Sequence, residues 1–166
     1  MFVFKRSFMK KLLFTILIAS FLFACKSNTE TKPAFDLVNA KKEIEAANKE
    51  LMNVIAKGDS IGTAAAYSPD GAVMFNNMPS VNGTENLIKV WSSFINAGIR
   101  NIELTTTEVW GDENYITEEG TFIIKSNEGA QLDKGKYLVL WKKVDGKWKL
   151  HRDISNSDLP AATAAK

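Results

Sequence analysis

The dipeptide Asp145-Gly146 and the two apolar segments around it constrain the fold of this chain more than any other feature. Residues 135–157 read GKYLVLWKKVDGKWKLHRDISNS, with β-branched and aromatic side chains on both sides of the dipeptide. Asp-Gly is a preferred two-residue hairpin loop, because glycine adopts positive φ without steric cost. The segment therefore predicts a β-hairpin whose second strand carries His151, the only histidine in the chain.

Two more extended segments precede this hairpin. Residues 99–111 and 114–126 are rich in β-branched and aromatic side chains, and Gly, Asp and Asn residues separate them. Together with the hairpin they predict four consecutive strands.

Helical patterns dominate the part of the chain before these strands. The clearest covers residues 36–58, with Asp36 as N-cap and apolar residues at three-to-four spacing. A short helix over 59–68 and a third helix over 84–98, with Thr84 as N-cap, follow it. Helices followed by a strand meander predict an α+β fold in which the helices cover one face of the sheet.

The first 24 residues have the pattern of a secretory signal peptide. Four basic residues precede an apolar run, LLFTILIASFLFA, that is too short to span a bilayer comfortably. The run ends at LFAC, which is similar to a bacterial lipobox, and Cys25 is the only cysteine. We expect a lipidated Cys25, a flexible tether through residue 35, and a location in the cell envelope, most simply at the outer membrane.

The net charge argues against nucleic-acid binding. The whole chain carries a formal charge of +2, but removal of residues 1–24 takes away four positive charges and no negative ones, leaving about −2. A domain of this charge lacks the basic surface that nucleic acids require.

Three segments in order carry a resemblance to a known family. AKGDSIGTAAAYSPDGAVMF, VNGTENLIKVW and the final hairpin resemble the SnoaL-like and ketosteroid isomerase-like branch of the nuclear transport factor 2-like superfamily. The resemblance covers residues 36–158 and leaves 159–166 as a disordered tail. It implies a cone-shaped α+β barrel, with three N-terminal helices packed on a curved antiparallel sheet around an apolar pocket.

By this resemblance, the chain lacks counterparts of the catalytic residues of ketosteroid isomerases. The positions of the family's tyrosine and general-base aspartate fall on Leu51 and Phe75, and its late-strand acid falls within one residue of Val139, with Leu138 and Leu140 as the alternatives. Apolar side chains cannot take up a proton or donate a hydrogen bond to an oxyanion. The resemblance therefore implies a pocket without isomerase chemistry of that type.

Other residues are candidates for the pocket wall. The resemblance places Tyr67, Phe75, Trp91, Tyr137 and Val139 in segments that line it. For Phe75 and Trp91 a plain core position is the competing interpretation, because aromatic residues dominate cores whatever the function. Tyr67 is the better pocket candidate, since its hydroxyl needs a partner when buried.

Regular alternation beyond the turn puts His151 and Asp153 on one face of the hairpin. On that face they could form an acid/base dyad, and the alternative is an exposed histidine beside a solvated aspartate. The opposite face would carry Trp141 and Trp148. We expect Asp112, Glu113, Glu118 and Glu119 to form a solvated edge, although Glu118 alternates with Phe122 and could point inward.

Two classes of function remain open. The first is a lipid-anchored domain that binds a small hydrophobic molecule or acts as an interaction module, with a homodimer through the Trp141 and Trp148 face as one form. The second is a small-molecule isomerase, cyclase or hydro-lyase that uses His151 and Asp153, or Tyr67, as acid and base. The sequence points to no cofactor, and one histidine with one cysteine does not supply a usual zinc site.

Overall fold

The computed structural model describes residues 34–160, of which residues 35–160 belong to one compact unit. The predicted signal peptide, Cys25 and residues 161–166 lie outside this range. Phe35, the last residue of the predicted tether, packs against the hydrophobic core. Within the described range no helix is long and apolar enough to cross a membrane.

Three helices form one layer: α1 (Leu37–Ala56), α2 (Ser60–Ala65) and α3 (Thr84–Asn96). The predicted cap of α1 is confirmed, since the Asn39 backbone N–H donates to Asp36 Oδ1 at 2.9 Å. Two details of the prediction are wrong. Helix α2 ends three residues early because the chain enters a strand at Tyr67, and α3 is capped by Gly83, at φ 79°, instead of Thr84.

Six strands form one curved sheet against this layer. They are β1 (Tyr67–Met74), β2 (Val81–Asn82), β3 (Asn101–Gly111), β4 (Tyr115–Lys125), β5 (Gln131–Val144) and β6 (Lys147–Ser157). The sheet order is β2-β1-β6-β5-β4-β3. The four predicted C-terminal strands are confirmed, and so is the α+β class.

The sheet is mixed and not wholly antiparallel as expected. Strand β1 pairs with β6 in parallel, while the other four pairings are antiparallel. The long connection from β1 through α3 and four strands brings the last strand back beside the first, which a count of consecutive hairpins does not reveal.

The final hairpin is regular near its turn and irregular further on. Asp145 and Gly146 have φ of 49° and 77°, as a type I′ turn requires. Pairing runs regularly from Val144 opposite Lys147 to Trp141 opposite Leu150, and then Leu140 pairs with Arg152. His151 is therefore the extra residue of a β-bulge.

The core lies between the helix layer and the inner face of the sheet. Its fully buried members include Ile44, Leu87, Ile116 and Leu150, each at most 2 % exposed. Trp141 and Trp148 are also buried, at 1 % and 7 % exposure. Both side chains pack within the domain itself and are not exposed to a partner subunit, while a homodimer through another surface stays a prediction.

Candidate functional site

A cavity of about 380 Å³ lies between the helices and the inner face of the sheet. Most of its wall is aliphatic or aromatic, as in small-molecule sites generally. Four predicted pocket residues line it: Phe75, Trp91, Tyr137 and Val139. Leu51, which the resemblance assigns to the family's tyrosine position, lines the cavity as well.

A hydrogen-bonded pair, Asp153 with Tyr67, supplies the polar group in the interior of this wall. The Tyr67 hydroxyl donates to Asp153 Oδ2 at 2.7 Å. Tyr67 is 4 % exposed and lies behind the carboxyl, while Asp153 lines the cavity. The sequence predicts both residues as site candidates but does not predict that they contact each other.

The environment of this pair changes the acidity of both members. Burial, reinforced by the charge of Glu118, raises the pKa of Asp153 from 3.8 to about 6, although the Tyr67 hydrogen bond opposes the shift. Burial, followed by the Asp153 charge, raises the pKa of the Tyr67 hydroxyl well above its ordinary value. A carboxyl with a pKa near 6 can hold or release a proton close to neutral pH.

The β-bulge separates His151 from Asp153. With one extra residue in β6, Asp153 pairs with Val139 and shares its inward direction, whereas regular alternation would have paired it with Leu138. The prediction that His151 and Asp153 share a face is therefore wrong. Asp153 lines the cavity and His151 does not.

His151 instead contacts an irregular segment of β1. Between Tyr67 and Ala72 the pairing of β1 with β6 shifts, and His151 Nδ1 lies 3.0 Å from Ser68 Oγ and 3.4 Å from Asp70 Oδ1. Burial, together with the nearby Arg152 charge, lowers the pKa of His151. These contacts give the histidine a role in joining the two strands, away from the cavity.

Behind the cavity wall, Glu118 is completely buried, with an exposed fraction of 0 %. Its Oε1 accepts hydrogen bonds from Asn48 Nδ2 at 2.7 Å, Thr106 Oγ1 at 2.6 Å and the Tyr137 hydroxyl at 2.8 Å. Its Oε2 accepts one from Trp141 Nε1 at 2.8 Å. The expectation of a solvated edge is wrong for Glu118, although its alternation with the buried Phe122 carried the correct signal.

Gly120 makes room for one of these donors. A Cβ at Gly120 would lie 2.2 Å from Tyr137 Cζ, so the phenol ring occupies the space that any side chain would fill. Gly120 pairs with Tyr137 across β4 and β5, which sets the ring over the glycine and directs its hydroxyl to Glu118. The buried network thus fixes Tyr137 as a rigid part of the cavity wall.

Three aromatic rings form another part of the wall. Phe75, Trp91 and Phe94 meet edge to face, with centroid separations of 4.8 to 6.0 Å. The Trp91 N–H lies near the Tyr67 hydroxyl and favours its ionised form slightly, but it is not in hydrogen-bonding geometry. Among the described residues, Trp91 Nε1 is the one buried side-chain nitrogen or oxygen without a hydrogen-bond partner.

A second, larger groove of about 600 Å³ runs along α1, α2 and the turn of the final hairpin. One of its two carboxylates, Glu43, is already engaged, since it accepts from Trp148 Nε1 at 2.9 Å and pairs with Lys143 at 3.5 Å. The central cavity, with its Asp153–Tyr67 pair, is the better candidate site. Residues 34–160 contain no group of three or more His, Cys, Asp or Glu side chains placed to hold a metal ion.

Comparison by sequence finds no protein-family profile and no curated protein that matches this chain. Comparison by structure finds many solved proteins. A ketosteroid isomerase-like protein from Erwinia carotovora atroseptica is 20% identical, with a TM-score of 0.60 over 72% of this chain and 96% of that one. A nuclear transport factor 2-like protein of unknown function from Shewanella oneidensis is 16% identical, with a TM-score of 0.60 over 70% and 98%.

A third solved protein, from Catenulispora acidiphila in complex with S-DNPA, is 12% identical, with a TM-score of 0.63 over 73% of this chain and 95% of that one. Identities this low establish the fold and not the activity. The chain therefore has the nuclear transport factor 2-like fold that the ketosteroid isomerase-like proteins share.

Proposed function

We propose that the domain binds a small, mostly apolar molecule in the central cavity and orients it by a hydrogen bond to Asp153. The observation that carries this proposal is the partly buried carboxyl in a mostly apolar wall, with Tyr67 occupying one of its two oxygens. The other oxygen remains for a donor on the ligand.

Thermal-shift screening of the purified full chain against hydrophobic alcohols, ketones and amines tests this proposal. A ligand at about 100 times its Kd stabilises the folded state by about 2.7 kcal/mol, which raises Tm by several degrees for a domain of this size. Absence of any hit, with a crystal structure in which side chains fill the cavity, would refute the proposal.

A second candidate function is proton transfer with Asp153 as general base or acid. It is favoured by one observation, the pKa of about 6 that burial gives this carboxyl. Tyr67 would hold the carboxyl in position, and His151 has no part, because it lies outside the cavity wall.

Deuterium exchange tests this second function directly. A ketone that binds the full chain is incubated in D₂O, and NMR follows exchange of the protons beside its carbonyl. Asp153→Asn should abolish exchange but retain binding, while the matched His151→Ala variant should exchange at the wild-type rate. If wild type and Asp153→Asn exchange equally slowly, the domain binds without this chemistry.

We also propose that Cys25 anchors the domain to a membrane of the cell envelope, most simply the outer membrane. The basic segment, the apolar run and the LFAC sequence support this location. Several acyl chains on one residue hold a protein stably at a lipid surface, where a single chain does not. In a producing bacterium, Cys25→Ser should move the protein from the membrane fraction to the soluble fraction or block its maturation. An unchanged distribution would contradict the anchor.

A further inference from the structure

The central cavity carries negative charge only. Two carboxyls, Asp153 and Asp133, line it, and none of its described lining residues is a lysine, an arginine or a histidine. Glu118 lies behind the same wall and contributes to the raised pKa of Asp153. A partly buried carboxylate without a cation is costly, so a positively charged occupant would offset that cost.

The two carboxyls that line the cavity lie far apart along the direction of the strands. Asp153 pairs with Val139, and Asp133 lies six residues before Val139 on the same strand, at the end of the sheet where β5 begins. At about 3.4 Å per residue in an antiparallel strand, their backbones are about 20 Å apart. Asp133 Oδ1 accepts from Ser157 Oγ at 2.6 Å and from the Lys134 backbone N–H at 2.7 Å, which leaves the other oxygen of Asp133 for a donor on a ligand. The two carboxyls therefore offer two separate contacts to a cation in the cavity.

Aromatic side chains also line the cavity. The Phe75, Trp91 and Phe94 cluster lines the same cavity as the two carboxyls. Aromatic rings attract organic cations through the negative potential of their faces, most strongly where water is excluded. Carboxylates and aromatic rings together disfavour fatty acids, phosphates and other anions and favour ammonium groups on apolar bodies.

We infer that the cavity selects amphiphilic amines, in which an apolar body fills the cavity and a protonated nitrogen contacts Asp153. This inference rests on the proposed binding function and adds to it the charge of the ligand. It does not depend on whether Asp153 also transfers protons.

Three probes with one apolar body and different head groups test the inference: naphthylethylamine, naphthylethanol and naphthylacetate. Calorimetric titration of the full chain at pH 8, where Asp153 is ionised, should give the tightest binding for the amine and the weakest for the carboxylate. We expect a gap of about tenfold or more between the amine and the alcohol, because charges in a partly dry site interact strongly.

Two variants locate the effect. Asp153→Asn should reduce the preference for the amine over the alcohol to about twofold or less, while the alcohol still binds. Asp145→Asn removes the same charge at the hairpin turn, outside the cavity, and should leave the preference unchanged. Equal binding of all three probes, or equal loss in both variants, would overturn the charge selection and leave the binding function standing. Absence of binding by every probe would instead overturn the binding function itself, and the inference with it.

Discussion

The carboxyl of Asp153, which we propose as the ligand contact, also lowers the stability of the folded domain when it is ionised. Burial raises its pKa from 3.8 to about 6, so the folded state holds the proton more tightly than the unfolded chain does. Stability therefore decreases as pH rises from about 4 to about 6 and stays at the lower value above that range. The shift corresponds to at most about 3 kcal/mol, and less where water reaches this partly buried group.

Asp153→Asn isolates this effect, because asparagine keeps the shape and the acceptor for Tyr67 but does not titrate. The variant should be more stable than wild type at pH 8, by up to about 3 kcal/mol, with the gap closing near pH 4. Urea unfolding at several pH values measures both chains, and subtraction removes the contributions of all other groups. A gap that does not vary with pH would show that the carboxyl is not desolvated.

Glu118 is a second residue whose importance follows from its surroundings. Four donors converge on its two oxygens, and each would lose its partner if the acceptor changed. In Glu118→Gln, one amide N–H₂ replaces an acceptor oxygen and faces a donor. We expect a loss of about 1–3 kcal/mol in the free energy of unfolding.

Glu119→Gln is the matched control for this substitution. Glu119 is the next residue on the same strand and is exposed. The control should change the free energy of unfolding by no more than about 0.5 kcal/mol. Equal effects of the two substitutions in denaturant titrations would contradict the role of the buried network.

Among the secondary-structure elements, the final hairpin is predictable from its sequence near the turn but not at its bulge. The Asp145-Gly146 turn and the first four pairs of its strands follow from turn chemistry and are confirmed. The bulge at His151 is not predictable from the local sequence, because no glycine or proline marks it. It depends on the irregular pairing with β1, a strand about 80 residues earlier. This one residue places Asp153 on the face of Val139, which lines the cavity, and separates it from the face of His151 that regular alternation predicts.

The same limit applies to the candidate site. The pocket wall could be inferred from the family resemblance, since Phe75, Trp91, Tyr137 and Val139 all line the cavity. The Tyr67–Asp153 contact could not, because it needs the parallel pairing of β1 with β6. Long-range pairing decides which polar side chains meet, whereas local periodicity decides only which residues are apolar and inward.

The hairpin turn gives a prediction of its own. Gly146 has a φ of 77°, and no other group lies within 4 Å of where its Cβ would be. Gly146→Ala should therefore cost only the backbone penalty of the left-handed region, about 1–2 kcal/mol. Asp145→Asn is the control, since asparagine tolerates the φ of 49° at that position. Thermal unfolding of both variants measures the difference, and a neutral Gly146→Ala would argue against a type I′ turn.

At the scale of the whole molecule, the sheet has two faces with different tasks. The inner face carries Val139 and Asp153 toward the cavity, and the outer face carries half-exposed Leu138 and Ile154. Consecutive residues on one strand thus differ in whether they touch a ligand. If the domain binds as proposed, the cavity and no outer surface holds the apolar molecule.

The most direct test introduces a tryptophan at a position of β5 that faces the cavity and compares its effect on binding with that of a tryptophan at the next position, which faces outward. Val139→Trp places an indole in the cavity, while Leu138→Trp adds the same group on the outer face of β5. Calorimetric titration with naphthylethanol should show binding to wild type and to Leu138→Trp, and a loss of about tenfold or more in Val139→Trp. Circular dichroism and Tm establish that both variants are folded. Wild-type binding by a folded Val139→Trp variant would contradict the central claim that the cavity is the ligand site.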